Sequence, residues 1–147
     1  MRKSVRIFLL MLAFIITIGG VAYFSGRAAP MPPVFAQRLT VREGEKLSVN
    51  TGRPMLIFAT ADWCGPCQTF KRTTLVDPQV EALIRERLVP VYLNVDQEQD
   101  IAATLNVKSI PASILIRDGQ TIAKLEGAVG TDEFLAWMRS SLQAPGG

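Results

Sequence analysis

The chain holds two cysteines, Cys64 and Cys67, and only Gly65 and Pro66 separate them. At that spacing the sulfurs can close a small disulfide, reopen, and pass a mixed disulfide from one to the other. The same pair could instead be a fixed structural staple or half of a zinc site. Zinc takes four ligands, and this chain offers neither a histidine nor a third cysteine. No metal is expected here, and no cofactor beyond the cysteines themselves.

Redox work needs a thiolate, so the surrounding elements matter. The apolar run 54–60, Pro-Met-Leu-Ile-Phe-Ala-Thr, reads as a buried strand, and 68–72 reads as the body of a helix. Cys64 then falls at a helix N-terminus and Cys67 inside its first turn. Unpaired N–H groups and the positive end of the helix dipole favour a thiolate there. Such a site brings a thiol pKa from about 8.5 toward about 7 or below. Pro66 suits the opening turn, where its missing N–H is no loss. Trp63, at the strand end between Asp62 and Cys64, reads as functional surface, and Phe70 as core.

The rest of the chain supplies alternating elements. Polar–apolar alternation over 37–42 predicts an edge strand, followed by a polar turn at 43–46. Asp77-Pro78 is an N-cap with proline at the first helical position. Val80, Leu83, Ile84 and Leu88 continue that helix. Residues 88–95 read as a strand apolar on both faces, which suits a parallel strand covered on both sides. A short helix is expected over 97–105 and a strand over 112–117, with Pro111 at its start. Asp118-Gly119 signals a two-residue hairpin turn into a strand at 121–126. A last helix begins at Thr131 and buries Phe134, Leu135, Met138 and Leu142. This order implies an α/β domain, a mixed sheet with helices on both faces, over 38–147.

The N-terminus is different in kind. Residues 7–26 carry no charge and follow Arg2, Lys3 and Arg6. Twenty such residues match a hydrocarbon core of about 30 Å. The reading is a short n-region (1–6) left in the cytoplasm and a transmembrane anchor over 7–26, with the domain sent outward. Tyr23 and Phe24 would lie near the outer interface. A cleaved signal peptide is the alternative, but its apolar region is usually about 7–15 residues. Residues 27–37, with Pro30, Pro32 and Pro33, read as an extended proline-rich linker. The net charge is +3, but four of the 16 basic residues lie in the first 27, where there is no acid. The remaining 12 basic and 13 acidic residues nearly cancel, so nucleic-acid binding has no support.

Trp63-Cys64-Gly65-Pro66-Cys67 is similar to the active-site sequence of the thioredoxin family, and the resemblance covers roughly residues 53–142. It implies a thioredoxin fold and a thiol:disulfide oxidoreductase in which Cys64 attacks a substrate disulfide and Cys67 releases the product. It also implies that Pro111 is cis and lies against the disulfide, and that the Ile110 backbone pairs with an extended substrate. Trp63, Gly65, Pro66, Ile110 and Pro111 would line the substrate groove, with the loop at Gly127-Ala128 bordering it.

Two departures stand out. The family's buried aspartate and its lysine partner fall at Phe58 and Tyr92. Losing both is coherent, since a lone buried charge is costly. Glu43, Glu45 and Asp62 are the positional candidates for handling the Cys67 proton. Thr74-Leu75-Val76-Asp77-Pro78-Gln79-Val80 and Ala61-Asp62-Trp63-Cys64 also resemble the exported C-terminal domain of DsbD-type disulfide reductases. That family carries acidic residues where this chain has Phe58 and Lys71. The resemblance implies exported protein disulfides as substrates, cytochrome c maturation as one use, and a transmembrane electron donor. A thiol oxidase or isomerase, or a tethered binding module with a structural disulfide, remain the alternatives.

Overall fold

The computed structural model describes residues 2–25 and 28–143, with side chains for 7–20 and 28–143. The flanking charges Arg2, Lys3 and Arg6 and the interface aromatics Tyr23 and Phe24 lie outside the described side chains, as do residues 144–147.

Helix α1 (Arg2–Ser25) contains the apolar run, and its described side chains, including Phe8, Leu10 and Phe14, are exposed. Among the described residues no helix is long and apolar enough to cross a membrane, so the expected anchor finds no support there.

Four strands among the described residues form one sheet in the order β2-β1-β3-β4. They are β1 (Met55–Thr60), β2 (Val89–Asn94), β3 (Ala112–Arg117) and β4 (Gln120–Glu126). β1 runs parallel to β2 and antiparallel to β3, and β3 pairs antiparallel with β4. All six β1 residues are buried. Because side chains alternate along a strand, Leu56 and Phe58 enter one core while Met55, Ile57 and Ala59 enter the other. Helices α3 (Gly65–Arg72), α4 (Pro78–Arg87) and α6 (Thr131–Gln143) cover the first core. Helices α2 (Val41–Thr51) and α5 (Gln99–Thr104) cover the second. The expected mixed sheet with helices on both faces is therefore present.

Several local expectations hold, with their physical reasons visible. Asp118 and Gly119 both have positive φ (51° and 75°), as a type I′ turn requires. Asp77 caps α4 by accepting from the N–H groups of Gln79 and Val80. β2 differs from expectation: Val89, Val91 and Leu93 are buried but Pro90, Tyr92 and Asn94 only half so. It is an edge strand, which is why Pro90 is tolerated in it.

The predicted edge strand at 37–42 is absent. Thr40 instead starts α2 with a capping box: its hydroxyl accepts from the Glu43 N–H, and the Glu43 carboxylate accepts from the Thr40 N–H at 2.9 Å. That backbone hydrogen bond, with the one from the Thr40 hydroxyl, holds the Glu43 carboxyl below its ordinary pKa. Gly52 ends the helix in the left-handed region (φ 66°). Gly44 lets α2 sit close against the sheet, because a Cβ there would lie 2.5 Å from Val91 Cγ2 and 2.7 Å from Met55 Sδ.

The proline-rich segment also departs from its expected role as a free spacer. Ala29, Val34 and Phe35 are buried, and Pro33–Phe35 forms a 3-10 turn. The Phe35 ring lies 5.9 Å, centre to centre, from both Phe58 and Tyr92. Pro32 is extended (φ −59°, ψ 143°) before this turn, and the apolar residues of the strap fasten it to the domain.

Candidate active site

Cys64 is the N-cap of α3, and its sulfur accepts a hydrogen bond from the Cys67 N–H at 3.2 Å. The two cysteines are joined by a disulfide. Cys64 keeps 4% of its surface exposed and Cys67 none. Of the two, only Cys64 retains any exposure toward a partner molecule. The helix N-terminus that would stabilise a thiolate also points its N–H groups at that same sulfur.

The residues expected to line a substrate groove stand around this pair. The Ile110–Pro111 bond is cis, as the family resemblance implies. The Ile110 carbonyl oxygen lies 3.8 Å from Cys64 Sγ, and Ile110 packs with Ala61, Cys64 and Cys67. Pro111 is buried, and its carbonyl accepts from the Gly127 N–H at 2.8 Å. Gly127 has φ 93°, a conformation glycine adopts at no steric cost. This bond brings the 127–128 loop beside Pro111, with Ala128 exposed. Gly65 and Pro66 form the exposed first turn of α3. Trp63 is 72% exposed, and its indole N–H donates to Asp96 at 2.9 Å, which fixes a large apolar face beside Cys64. All seven residues named from the sequence thus meet at one end of the sheet.

Other parts of the site were not legible as such. The Gln68 side chain donates to the carbonyls of Ala61 (2.9 Å) and Asp62 (3.1 Å) and accepts from the Ala29 N–H. It therefore ties the loop before Cys64 to the strap. Phe58 and Tyr92 face each other in register on β1 and β2, and Phe35 closes over both. Aromatic packing occupies the positions where the family resemblance placed an aspartate and a lysine.

Lys71 is only 2% exposed. Its Nζ donates to the Ala29 carbonyl at 3.3 Å and the Tyr92 hydroxyl at 3.2 Å. Burial pushes the Lys71 ammonium down and the Tyr92 hydroxyl up; the Asp62 charge opposes the first shift and adds to the second. Of the proton-handling candidates, Glu43 is committed to its cap and Glu45 stands exposed on α2. Asp62 is exposed but close enough to act on Lys71 and Tyr92. The spacing of Lys71, four residues after Cys67, was the sequence signal that could have marked it. Among the described residues no group of three or more His, Cys, Asp or Glu could hold a metal ion.

The comparisons agree with this geometry. A family model described as a thioredoxin-like domain matches residues 41–141. Thioredoxin 1 of Chlorobaculum tepidum is 42% identical over 79 residues, which cover 52% of this chain and 72% of that protein. The solution structure of a thioredoxin from Thermus thermophilus superposes with a TM-score of 0.63 at 25% identity, covering 68% of this chain and 82% of that one. A DsbH oxidoreductase shares the fold, with a TM-score of 0.67 at 19% identity and coverages of 80% and 89%. The chain spans 61–72% of the length of the first curated relatives it matches.

Proposed function

The chain belongs to the thioredoxin-like family of thiol:disulfide oxidoreductases, and from that premise we propose that it reduces disulfides of exported proteins from a membrane-anchored position outside the cytoplasm. The observation that carries the reaction is the asymmetry of the two cysteines, with Cys64 retaining 4% exposure as the N-cap of α3 and Cys67 fully buried in its first turn. The Cys64 thiolate attacks a substrate disulfide. The Cys67 sulfur then attacks Cys64 Sγ, which re-forms the internal disulfide and releases the reduced substrate. Trp63, Gly65, Pro66, Ile110 and Pro111 hold the substrate segment, with the Ile110 backbone pairing along it. The Gly-Pro pair between the cysteines and Ile110 before the proline resemble reducing thioredoxins, near −270 mV, rather than oxidants near −120 mV.

The location rests on the uncharged run 7–26 behind three basic residues and on the exposed apolar side chains of α1. A reductant on that side needs electrons delivered by a transmembrane donor. Reduction of apocytochrome cysteines is one use that fits.

The decisive experiment is Cys67→Ala in the full-length chain. It is expected to accumulate mixed disulfides through Cys64, and their identification names the substrates. No covalent adducts would leave only a binding module with a structural disulfide. A measured potential above about −150 mV would overturn the reductive direction. Extraction of the chain from membranes by carbonate at pH 11 would overturn the anchor.

A further inference from the structure

One group near the redox pair is not used by this mechanism: a buried cation. Lys71 lies one helical turn after Cys67 on α3, and side chains four residues apart on a helix are neighbours, about 5–6 Å between Cβ atoms. Both residues are buried. The two salt bridges among the described residues, Arg85–Glu81 and Lys124–Glu126, do not involve Lys71. Two neutral oxygens hold it instead, the Ala29 carbonyl and the Tyr92 hydroxyl. An ammonium has three protons to donate, and a buried charge with no anion in direct contact is costly even with Asp62 nearby. A negative charge formed one turn away would relieve that cost.

We propose that Lys71 is a positioning residue for the resolving step, its buried ammonium stabilising the Cys67 thiolate when that sulfur must attack. The balance is simple. Cys67 loses its proton to water, and its thiolate attacks Cys64 Sγ. The Cys64–Cys67 bond forms and the Cys64–substrate bond breaks. The electron pair leaves on the substrate sulfur, which takes up a proton. The substrate is reduced by two electrons and the dithiol is oxidised.

The other charges facing Lys71 are Asp62 from the loop after β1, which favours its charged form, and Arg72 on its own helix, which opposes it. Tyr92 faces it from β2 as a neutral hydroxyl. Asp62 and Tyr92 line a cleft of about 420 Å³ with Ala29 and Asn94, which gives water a way to this cluster. Taking charges one helical turn apart as about 6–9 Å from each other, a unit charge at an effective dielectric of about 20 shifts a thiol by about one to two pH units.

The inference rests on the dithiol chemistry proposed above, and its test separates the two. Carbon-13 titration of the Cys67 β-carbon in the reduced chain is compared for wild type, Lys71→Met and Lys71→Gln. Both variants are expected to raise the Cys67 titration by about one to two units. Fewer thiolates, partly offset by the greater nucleophilicity of each, should slow mixed-disulfide release about three- to tenfold at pH 7. That deficit should vanish above the variants' own Cys67 titration. An unmoved Cys67 titration in Lys71→Met overturns the proposal. So does restoration of the wild-type value by Gln, which would show a hydrogen-bonding role alone. Insulin reduction by the wild-type chain runs alongside; its absence would defeat the reductase reading, whereas an unmoved titration defeats only the role of Lys71.

Discussion

Replacing Phe35 by alanine asks whether the proline-rich strap is part of the folded domain. Phe35 is 1% exposed and shares a core with Leu56, Phe58, Leu88 and Phe134. Truncating a buried phenylalanine costs about 3–5 kcal/mol, including the cavity left behind. The two ring contacts at 5.9 Å, to Phe58 and Tyr92, place this site in the upper half of that range, since each aromatic pair adds about 0.5–1.5 kcal/mol beyond burial. Total stability of such a domain is about 5–15 kcal/mol, so one substitution removes a large share. For a domain of this size the loss corresponds to a fall in Tm of roughly 16–20 °C, at about 4 °C per kcal/mol. The assay is urea unfolding of the oxidised chain followed by circular dichroism, with Val49→Ala as the control. Val49 is 74% exposed, and its truncation should change stability by less than about 0.5 kcal/mol. A loss below about 1 kcal/mol for Phe35→Ala would refute the argument and return residues 28–36 to the status of a spacer.

Gly44→Ala forces a methyl group to within 2.5 Å of Val91 Cγ2, and overpacking of this kind should cost about 1–3 kcal/mol in urea midpoint measurements. Gly127→Ala strains a backbone at φ 93° and should cost about 1 kcal/mol or more, while raising the KM for a protein disulfide because the loop beside Pro111 shifts. Lys71 has a depressed folded-state pKa, so burying its charge destabilises the fold fully below that value. The penalty is relieved as pH rises from the folded value to the ordinary one near 10.5. Any advantage of Lys71→Met over wild type should therefore be larger at pH 7 than at pH 10, and a gap that widens with pH would contradict the assignment of Lys71's shift to burial.

The chemistry of this chain was written more plainly in its sequence than its scaffold was. Two cysteines at a strand–helix junction fix their own environment, because the junction supplies the N–H groups and the proline that opens the helix. The hairpin and the α4 cap were equally legible, since positive φ at Asp118-Gly119 and side-chain capping by Asp77 are local requirements. Helix α2 was missed because Leu39 and Val41 alternate like a strand and the helix itself is polar. The Thr40–Glu43 capping box was the overriding local signal. The strap was misread because prolines describe backbone stiffness and say nothing about where Val34 and Phe35 become buried. Gln68 reads as an ordinary helix residue and Lys71 only as a departure from a position that is acidic in a related family; what they do depends on the strap, which is distant in sequence.

The Ala29 hydrogen bonds to Gln68 and Lys71 have a mechanical consequence. They fasten the entering chain directly to the catalytic helix, four peptide steps after Ser25. At 3.8 Å per step, Ser25 and Ala29 are never more than about 15 Å apart. In the membrane-anchored reading proposed above, this short connection keeps the redox pair close to the end of α1. In that reading a partner tethered within the same reach would meet the disulfide at a high effective concentration.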